Sequence, residues 1–207
     1  YELNARFGGS DETIVFVPTE SQGNERDISS SQLSLWITYL TLPSDSDGTA
    51  HRKVYANFEW LTPTATGLND VFGVLWGNGW CLSDEYNPVL TYQYYGAESD
   101  EIYTEFFPIS SNNSTSAPNQ GLTYNKLSLR ATVKNGNETA VDHSGWLTLE
   151  LERQGGAMST NIVASYSKAK VSLVPTLSVD INSFSVSITP EINYHNELQS
   201  APNYIMY

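Results

Sequence analysis

Apolar and polar residues alternate along many short segments of the chain, and this period of two limits the folds that it can adopt. In the run VYANFEW, residues 54–60, every second residue is apolar, and Leu147, Leu149 and Leu151 repeat the spacing. Successive side chains of a β-strand point to opposite faces, so the pattern indicates strands that are buried on one side. No segment shows the sustained 3.6-residue spacing of an amphipathic helix, and none is predicted.

The alternating segments are short and are separated by clusters of Gly, Pro, Asn and Ser. Such spacing is typical of antiparallel sandwiches. The sequence therefore predicts an all-β fold, a single antiparallel β-sandwich, jelly-roll-like, of about ten strands over residues 1–207. The polar run SSNNSTSAPNQ, residues 110–120, is interpreted as a long surface loop of that domain.

The charge balance is strongly acidic and bears on the partners to be expected. The chain has 10 basic and 23 acidic residues, a formal net charge of −13, and no Lys or Arg between Val54 and Asn125. Phosphate backbones and anionic lipids are bound by clustered cations, so no nucleic-acid partner is expected. No apolar run approaches the roughly 18 residues that cross a bilayer, and no membrane span is predicted.

The start of the chain and its single cysteine bear on location. The sequence begins at Tyr1 without a charged and apolar leader, which is expected of a mature exported product. We therefore expect a secreted, extracellular or cell-surface protein. Cys81 has no second cysteine with which to form an intrachain disulfide, and it has no basic sequence neighbour to activate it. A buried, inert thiol is the expectation.

The run LWGNGWCLSDEY, residues 75–86, sets two tryptophans on either side of Gly-Asn-Gly. Asn-Gly is a preferred centre of a two-residue hairpin turn, which would place Trp76 and Trp80 on opposite faces. A three-residue loop with Gly79 in the left-handed region would instead pair the two indoles on one face. Only the second geometry makes a two-ring platform, and only where that face is exposed. A pair of core side chains is the alternative.

Aromatic residues are concentrated in the same part of the chain. Thirteen of the 25 lie between residues 55 and 107. Flat rings beside amides and carboxylates suit sugars, whose C–H faces stack on rings while their hydroxyls form hydrogen bonds. Region 55–107 is the predicted contact face for a glycan or another surface protein, against the alternative of a tyrosine-rich sheet of high β propensity. The ligand-binding candidates are Trp76, Trp80, Tyr92, Tyr94 and Tyr95.

Catalytic and metal-binding motifs receive little support from the sequence. Glu150 and Glu152 share one strand face about 7 Å apart, and Glu59 is a further acid, so a glycosidase stays open as an alternative. The three histidines are scattered, and the run DSDG at 45–48 lacks the carboxylate that would end a calcium loop. We expect no catalytic residue, no metal site and no cofactor, and a protein that is not an enzyme.

The C-terminal part of the chain suggests a different role. Residues 161–189 are rich in Ser and Thr and alternate, a pattern that also occurs in pore-forming proteins. An exposed apolar end can add as a strand to the sheet edge of a neighbour, a route to filaments and coats. Self-association is therefore possible through the last four residues, Tyr204, Ile205, Met206 and Tyr207.

Three longer runs carry a resemblance in pattern. KVYANFEWLTPTATGLNDVFGVLWGNGW, GWLTLELER and KVSLVPTLSVDINSFSVSITP resemble small exported proteins of Gram-positive bacteria that have no assigned activity. The resemblance implies an extracellular setting and no site residues. The function expected from the whole sequence is a non-catalytic binding or interaction module of the cell surface. A structural subunit assembled by strand addition and a carbohydrate-active enzyme are the alternatives.

Overall fold

A computed structural model gives the fold of the chain. It describes residues 2–4, 13–15, 28–62, 68–117, 120–134, 136–156, 159–169, 176–180, 185–189, 195–200 and 203–206. Every regular element in those residues is a β-strand, in the order Glu2–Asn4 (β1), Thr13–Val15 (β2), Leu33–Leu42 (β3), His51–Trp60 (β4), Asn69–Trp76 (β5), Trp80–Leu82 (β6), Val89–Gly96 (β7), Ile102–Pro108 (β8), Ser114–Ala117 (β9), Gly121–Ser128 (β10), Ala140–Arg153 (β11), Ser159–Ala169 (β12), Thr176–Asp180 (β13), Ser185–Thr189 (β14), His195–Gln199 (β15) and Asn203–Met206 (β16).

Two six-stranded antiparallel sheets form the body of the fold. Sheet I has the order β3-β4-β11-β7-β8, with β6 also paired to β11. Sheet II has the order β15-β12-β5-β10-β9, with β16 also paired to β12. The pairs β1-β2 and β13-β14 are separate two-stranded sheets. The predicted all-β antiparallel fold is confirmed, and in the described residues the two main sheets hold twelve strands, close to the predicted number of about ten.

The two sheets pack face to face around an aromatic centre. Phe58 of sheet I lies edge-on to Phe72 and Tyr166 of sheet II, with ring centroids 4.9 and 5.3 Å apart. All three side chains are fully buried, and burying rings of this size is among the largest stabilising contributions a core receives. The contacts place the core between the sheets, as the alternation of apolar residues predicts.

Gly145 makes room for that aromatic centre. It lies in β11 opposite Phe58 of β4 and Tyr92 of β7. A Cβ at this position would lie 2.7 Å from Cε1 of Phe58 and 2.5 Å from the carbonyl oxygen of Thr91. The glycine is therefore required by the close approach of the Phe58 ring to the backbone.

The polar run at 110–120 is only partly a loop, which corrects the prediction. Ser114–Ala117 forms β9 and pairs with β10. The turn before it is closed by Asn113, whose side-chain oxygen accepts from the amide of Ser110 and whose side-chain nitrogen donates to the carbonyl of Pro108. A run of Ser and Thr shows no alternation of apolar and polar residues, so the sequence alone does not identify it as a strand. An edge strand can form without that alternation because backbone hydrogen bonds pair it with its neighbour.

The C-terminal strand is paired within its own chain. Residues 203–206 form β16, which pairs with residues 159–162 of β12, and the side chain of Ile205 is fully buried. This segment therefore lies at an edge of sheet II and already has one neighbour there. Tyr207 and the side chains of Tyr204 and Met206 lie outside the described residues, so self-association through this end stays a prediction.

Candidate binding face

The Gly-Asn-Gly turn does not form a hairpin, contrary to both predicted geometries. Trp76 ends β5 in sheet II, whereas Trp80 begins β6, which pairs with β11 in sheet I. The turn crosses from one sheet to the other, with Gly79 at φ 89°. The amide of Gly77 donates to Asn161 of β12, and the carbonyl of Gly79 accepts from Gln154, the residue after β11. These hydrogen bonds to distant strands determine the path of the turn, so its local sequence alone could not predict its geometry.

Four of the five predicted ligand-binding residues belong to the core. Trp76, Trp80, Tyr92 and Tyr94 are no more than 1% exposed. Stacking on a ligand needs an accessible ring face, so these four do not form a platform. They are buried because their strands direct them into the space between the sheets. Tyr95, of the opposite parity on β7, is the half-buried exception.

A different set of aromatic residues lies on the outer face of sheet I, the face directed away from sheet II. Trp146 of β11 is opposite Thr91 of β7, which is opposite Phe106 of β8. Phe106 is 67% exposed, Trp146 is half-buried, and Thr91 between them is only 4% exposed. Two large rings thus flank a small, covered threonine in one cross-strand row.

Two further rows extend this surface along the same strands. Ser144, Gln93 and Thr104 form the second row, and the Gln93 side-chain amide donates to the Thr104 hydroxyl at 3.1 Å. The third row contains Tyr95 and Ile102, of which Ile102 is 56% exposed. We call the three rows together the aromatic face: Trp146, Thr91 and Phe106; Ser144, Gln93 and Thr104; Val141, Tyr95 and Ile102.

The sequence pointed to this region and, among the five candidate residues, to Tyr95, but not to Phe106 or Trp146 as individual residues. Phe106 and Tyr95 lie in the predicted contact region 55–107, whereas Trp146 lies outside it. The run GWLTLELER does contain a signal for Trp146. Its three leucines are fully buried, so residues of the opposite parity, beginning with Trp146, must face outward.

A polar centre lies on the same outer face, further along β11. The imidazole of His51 is bound on both sides: Nδ1 lies 2.9 Å from Glu150 and Nε2 lies 2.9 Å from Asp45. Burial opposes a charge on His51, but the hydrogen bonds and negative charges of the two carboxylates outweigh it and raise the pKa of the ring. When the ring is protonated, both nitrogens donate, one to Glu150 and the other to Asp45, and the two carboxylates hold the imidazole in place.

Asp45 is positioned by a tight polar turn. The Asp45 carbonyl accepts from Gly48, which has a φ of 85°, and the amide of Thr49 donates to the Asp47 carboxylate. The run DSDG is therefore a turn, in agreement with its interpretation from the sequence.

The second predicted acid, Glu152, is hydrogen-bonded to the cysteine. The Cys81 thiol donates to Glu152 at 3.3 Å, and the Gln154 side chain donates to the sulfur at 3.0 Å. Burial, followed by the neighbouring Glu152 carboxylate, raises the pKa of Cys81 to about 11. The thiol is therefore neutral near neutral pH and is a poor nucleophile. Glu150 binds His51 and Glu152 binds Cys81. The two carboxylates lie on the same strand and do not face each other across a cleft.

A third polar cluster lies on the inner side of β7 and β8. Arg130 binds Glu105 through two hydrogen bonds of 2.8 and 2.9 Å, and the Tyr92 hydroxyl lies 2.8 Å from Nδ1 of His143. Burial lowers the pKa of His143 to about 4, so the ring is neutral. Arg130 also lines a shallow depression of about 540 Å³ formed by residues 128–134 and 136. The charge of Arg130 is neutralised by its pairing with Glu105, which leaves Lys134 as the other cation lining the depression.

Metal and membrane features were also sought in the described residues. They contain no group of three or more His, Cys, Asp or Glu side chains placed to hold a metal ion. In the same residues no helix has the length and apolarity to cross a membrane.

Comparisons with known proteins give no family. No protein-family model matches the chain, and no curated protein matches it. Among solved structures, AvmM, described as catalysing macrocyclization in alchivemycin A biosynthesis, is 12% identical over 84% of this chain and 89% of its own, at a TM-score of 0.36. A pore-forming protein is 9% identical over 99% and 94%, at 0.33, and the Clostridium perfringens delta-toxin is 8% identical over 91% and 96%, at 0.29. Likenesses this weak establish no shared function.

Proposed function

We propose that the protein is a non-catalytic binding module of the cell surface or extracellular space, and that its aromatic face contacts a neutral saccharide. The observation that carries the proposal is the row in which Trp146 and Phe106 flank Thr91 on the outer face of sheet I. Large rings in soluble proteins are usually buried, so the exposed ring of Phe106 and the half-buried ring of Trp146, held in register on one face of the sheet, need an explanation.

The spacing of the rings suits an extended ligand. Trp146 and Phe106 lie two strands apart, which corresponds to about 9–10 Å across the sheet. Pyranose rings offer C–H faces that pack on aromatic side chains. Two rings at this separation can contact two sugar units of one chain while the units between them lie over Thr91.

Polar groups lie within reach of the rings. The second row brings the hydroxyls of Ser144 and Thr104 and the amide of Gln93 to the same face. Amides and hydroxyls both donate and accept hydrogen bonds, as do the hydroxyls of a sugar. An aromatic row beside a polar row therefore matches the two kinds of surface that a saccharide presents.

The charge of the face favours a neutral ligand. None of the nine positions in the three rows is charged. The chain as a whole carries −13, which repels polyanions such as nucleic acids and acidic glycans at long range. A neutral polysaccharide needs no charged partner on the face and is not repelled by the negative charge of the chain.

The positions of the predicted acids support a binding role over hydrolysis. Glu150 binds His51 and Glu152 accepts the hydrogen bond of Cys81. Glu59, the third predicted acid, is exposed on β4 and lies opposite Ser34 and Ser144, so neither directly facing residue is a carboxylate. Enzymes that cleave glycosidic bonds place two carboxyl groups on either side of the scissile bond. Absence of reducing-sugar release from a bound polysaccharide is the expected result.

Affinity electrophoresis through gels containing soluble neutral polysaccharides, preceded by a glycan array, tests the proposal. Trp146→Ala and Phe106→Ala should each weaken binding at least about tenfold, equivalent to ~1.4 kcal/mol. Leu61→Ala is the matched control because Leu61 is 51% exposed and lies outside the aromatic face. Unchanged melting temperatures would show that the variants are folded. Wild-type protein that binds no neutral glycan, or variants that bind as well as wild type, would overturn the proposal.

A further inference from the structure

We propose that two copies of the chain pair through the open edge of β8, forming a symmetric dimer in which their two copies of sheet I become one continuous sheet. The inference goes beyond saccharide binding and is tested without any ligand. It starts from the position of β8, which ends sheet I and, within the described residues, pairs with β7 alone.

The exposed apolar surface is concentrated on this strand. Phe106 and Ile102 are the two most exposed large apolar side chains in the described part of the chain, at 67% and 56%. Sheet edges are normally protected by lysine, proline or a bulge. Pro108 lies only at the end of β8; the segment from Ile102 to Phe107 has no lysine or proline, and its register with β7 is continuous.

The backbone groups that face the open edge can be assigned. The amide of Gly96 donates to the carbonyl of Glu101, and the amide of Ile109 donates to the carbonyl of Pro88. Hydrogen-bonded positions alternate along an antiparallel pair, so odd-numbered residues of β8 direct their backbone groups at β7. The N–H and C=O groups of Ile102, Thr104 and Phe106 therefore point to the open edge.

These three residues are self-complementary about Thr104. An antiparallel pairing with its two-fold axis at Thr104 sets Thr104 against Thr104 of the second copy and Ile102 against Phe106 of the second copy. Each such pair exchanges two backbone hydrogen bonds. Thr–Thr and aliphatic–aromatic neighbours are also favourable cross-strand pairs. A two-fold interface needs this match of a surface with itself.

The charges of the strand are compatible with the same register. Glu105 faces Tyr103 of the second copy, and Glu101 faces Phe107 of the second copy, so no carboxylate lies opposite another. Glu105 is moreover neutralised within its own chain by Arg130. Within the strand pair no carboxylate directly faces another, and the main repulsion is that between the overall charges of the two copies.

The size of the contact sets its strength. One strand pair with two exposed apolar side chains from each copy buries less than the roughly 1,200 Å² of standard stable interfaces. Two copies that each carry −13 repel each other, and salt screens that repulsion. The dimer should therefore be weak, concentration-dependent and favoured by added salt.

Sedimentation equilibrium over a wide concentration range, at low and high salt, tests the dimer. The weight-average mass should rise from 22.9 kDa toward twice that value, and more steeply in high salt. Thr104→Lys should remain monomeric. Ser116→Lys is the matched control, since Ser116 is an exposed residue of β9, the edge strand of sheet II, and this variant should dimerise as wild type does.

A cysteine variant tests the axis directly. Facing Cα atoms of a hydrogen-bonded antiparallel pair are about 5.5 Å apart, within the range of a disulfide. Thr104→Cys should form a covalent dimer on mild oxidation, and Ser116→Cys should not. The proposal is overturned by a wild-type mass that stays at one chain in high salt, or by Thr104→Lys dimerising as wild type does. Equal cross-linking of the two cysteine variants would also overturn it.

Discussion

The indole Nε1 of Trp76 donates a hydrogen bond of 3.1 Å to the backbone carbonyl of Trp80. Trp76 is the last residue of β5 in sheet II, and Trp80 is the first of β6 in sheet I. Both side chains are buried, so this bond is made away from water, where an unpaired carbonyl would be costly. It ties the two layers of the sandwich together across a three-residue turn.

Replacing Trp76 by Phe should therefore destabilise the fold. The smaller ring leaves a cavity and removes the only donor in that side chain, and we expect a loss of about 2–4 kcal/mol in the free energy of unfolding. Trp146→Phe, on the outer face, should change it by less than about 1 kcal/mol. Urea unfolding followed by circular dichroism measures both. Equal losses for the two variants would show that the Trp76 position is not special.

His51 should make the protein more stable in mildly acidic solution. Its pKa is raised in the folded state, so the folded chain holds the proton more tightly than the unfolded chain does. This contribution is complete below the ordinary histidine pKa of about 6.5 and disappears as pH rises through the higher folded-state pKa. Unfolding titrations across that interval should show the decline in wild type and its absence in His51→Gln. The same slope in both proteins would contradict the assignment.

His143 should act in the opposite direction at lower pH. Its pKa in the folded state is about 4, so the unfolded chain takes up a proton first as pH falls below about 6.5. Stability should decline between those two values by up to roughly 3 kcal/mol. In His143→Gln the decline over this interval should be smaller, and the difference between the two unfolding curves isolates the histidine from the carboxylates. If the ring signals of His143, identified in NMR spectra by their loss in His143→Gln, titrate at the ordinary histidine pKa, the prediction is refuted.

Cys81 should resist thiol reagents in the native protein. With a pKa of about 11, only about one thiol in a thousand is ionised at pH 8, and the side chain is buried. Iodoacetamide labelling followed by mass spectrometry should be slow in buffer and fast in urea. Glu152→Gln removes the second cause of the raised pKa and should speed native labelling. Fast labelling of the native wild-type protein would contradict the burial of the thiol.

The period of two was enough to predict the fold class and the buried side of several strands. In β11 the three leucines at 147, 149 and 151 are buried, as the alternation indicates. It was not enough to tell which aromatic residues are exposed. Tyr92 and Tyr94 lie on the inner face of β7 and Tyr95 on the outer face, and the choice depends on where sheet II packs.

The remaining features depend on pairings between distant parts of the chain. A Gly-Asn-Gly turn fits a hairpin and a crossing between sheets equally well, and only the pairing of β6 with β11 decides between them. His51 and Glu150 are 99 residues apart in sequence. Their contact follows from the register of β4 and β11, which no local pattern records.

Strand β11 has a consequence for how the chain is synthesised. It pairs with β4 on one side and with β6 and β7 on the other, so all three of these partners precede it in the sequence. While the ribosome is still adding residues before Ala140, β4 and β7 have no strand between them. The edges of β4 and β7 that will later pair with β11 are then open. The central strand arrives last among its neighbours, and a nascent chain that stalls before it is exposed to aggregation through those edges.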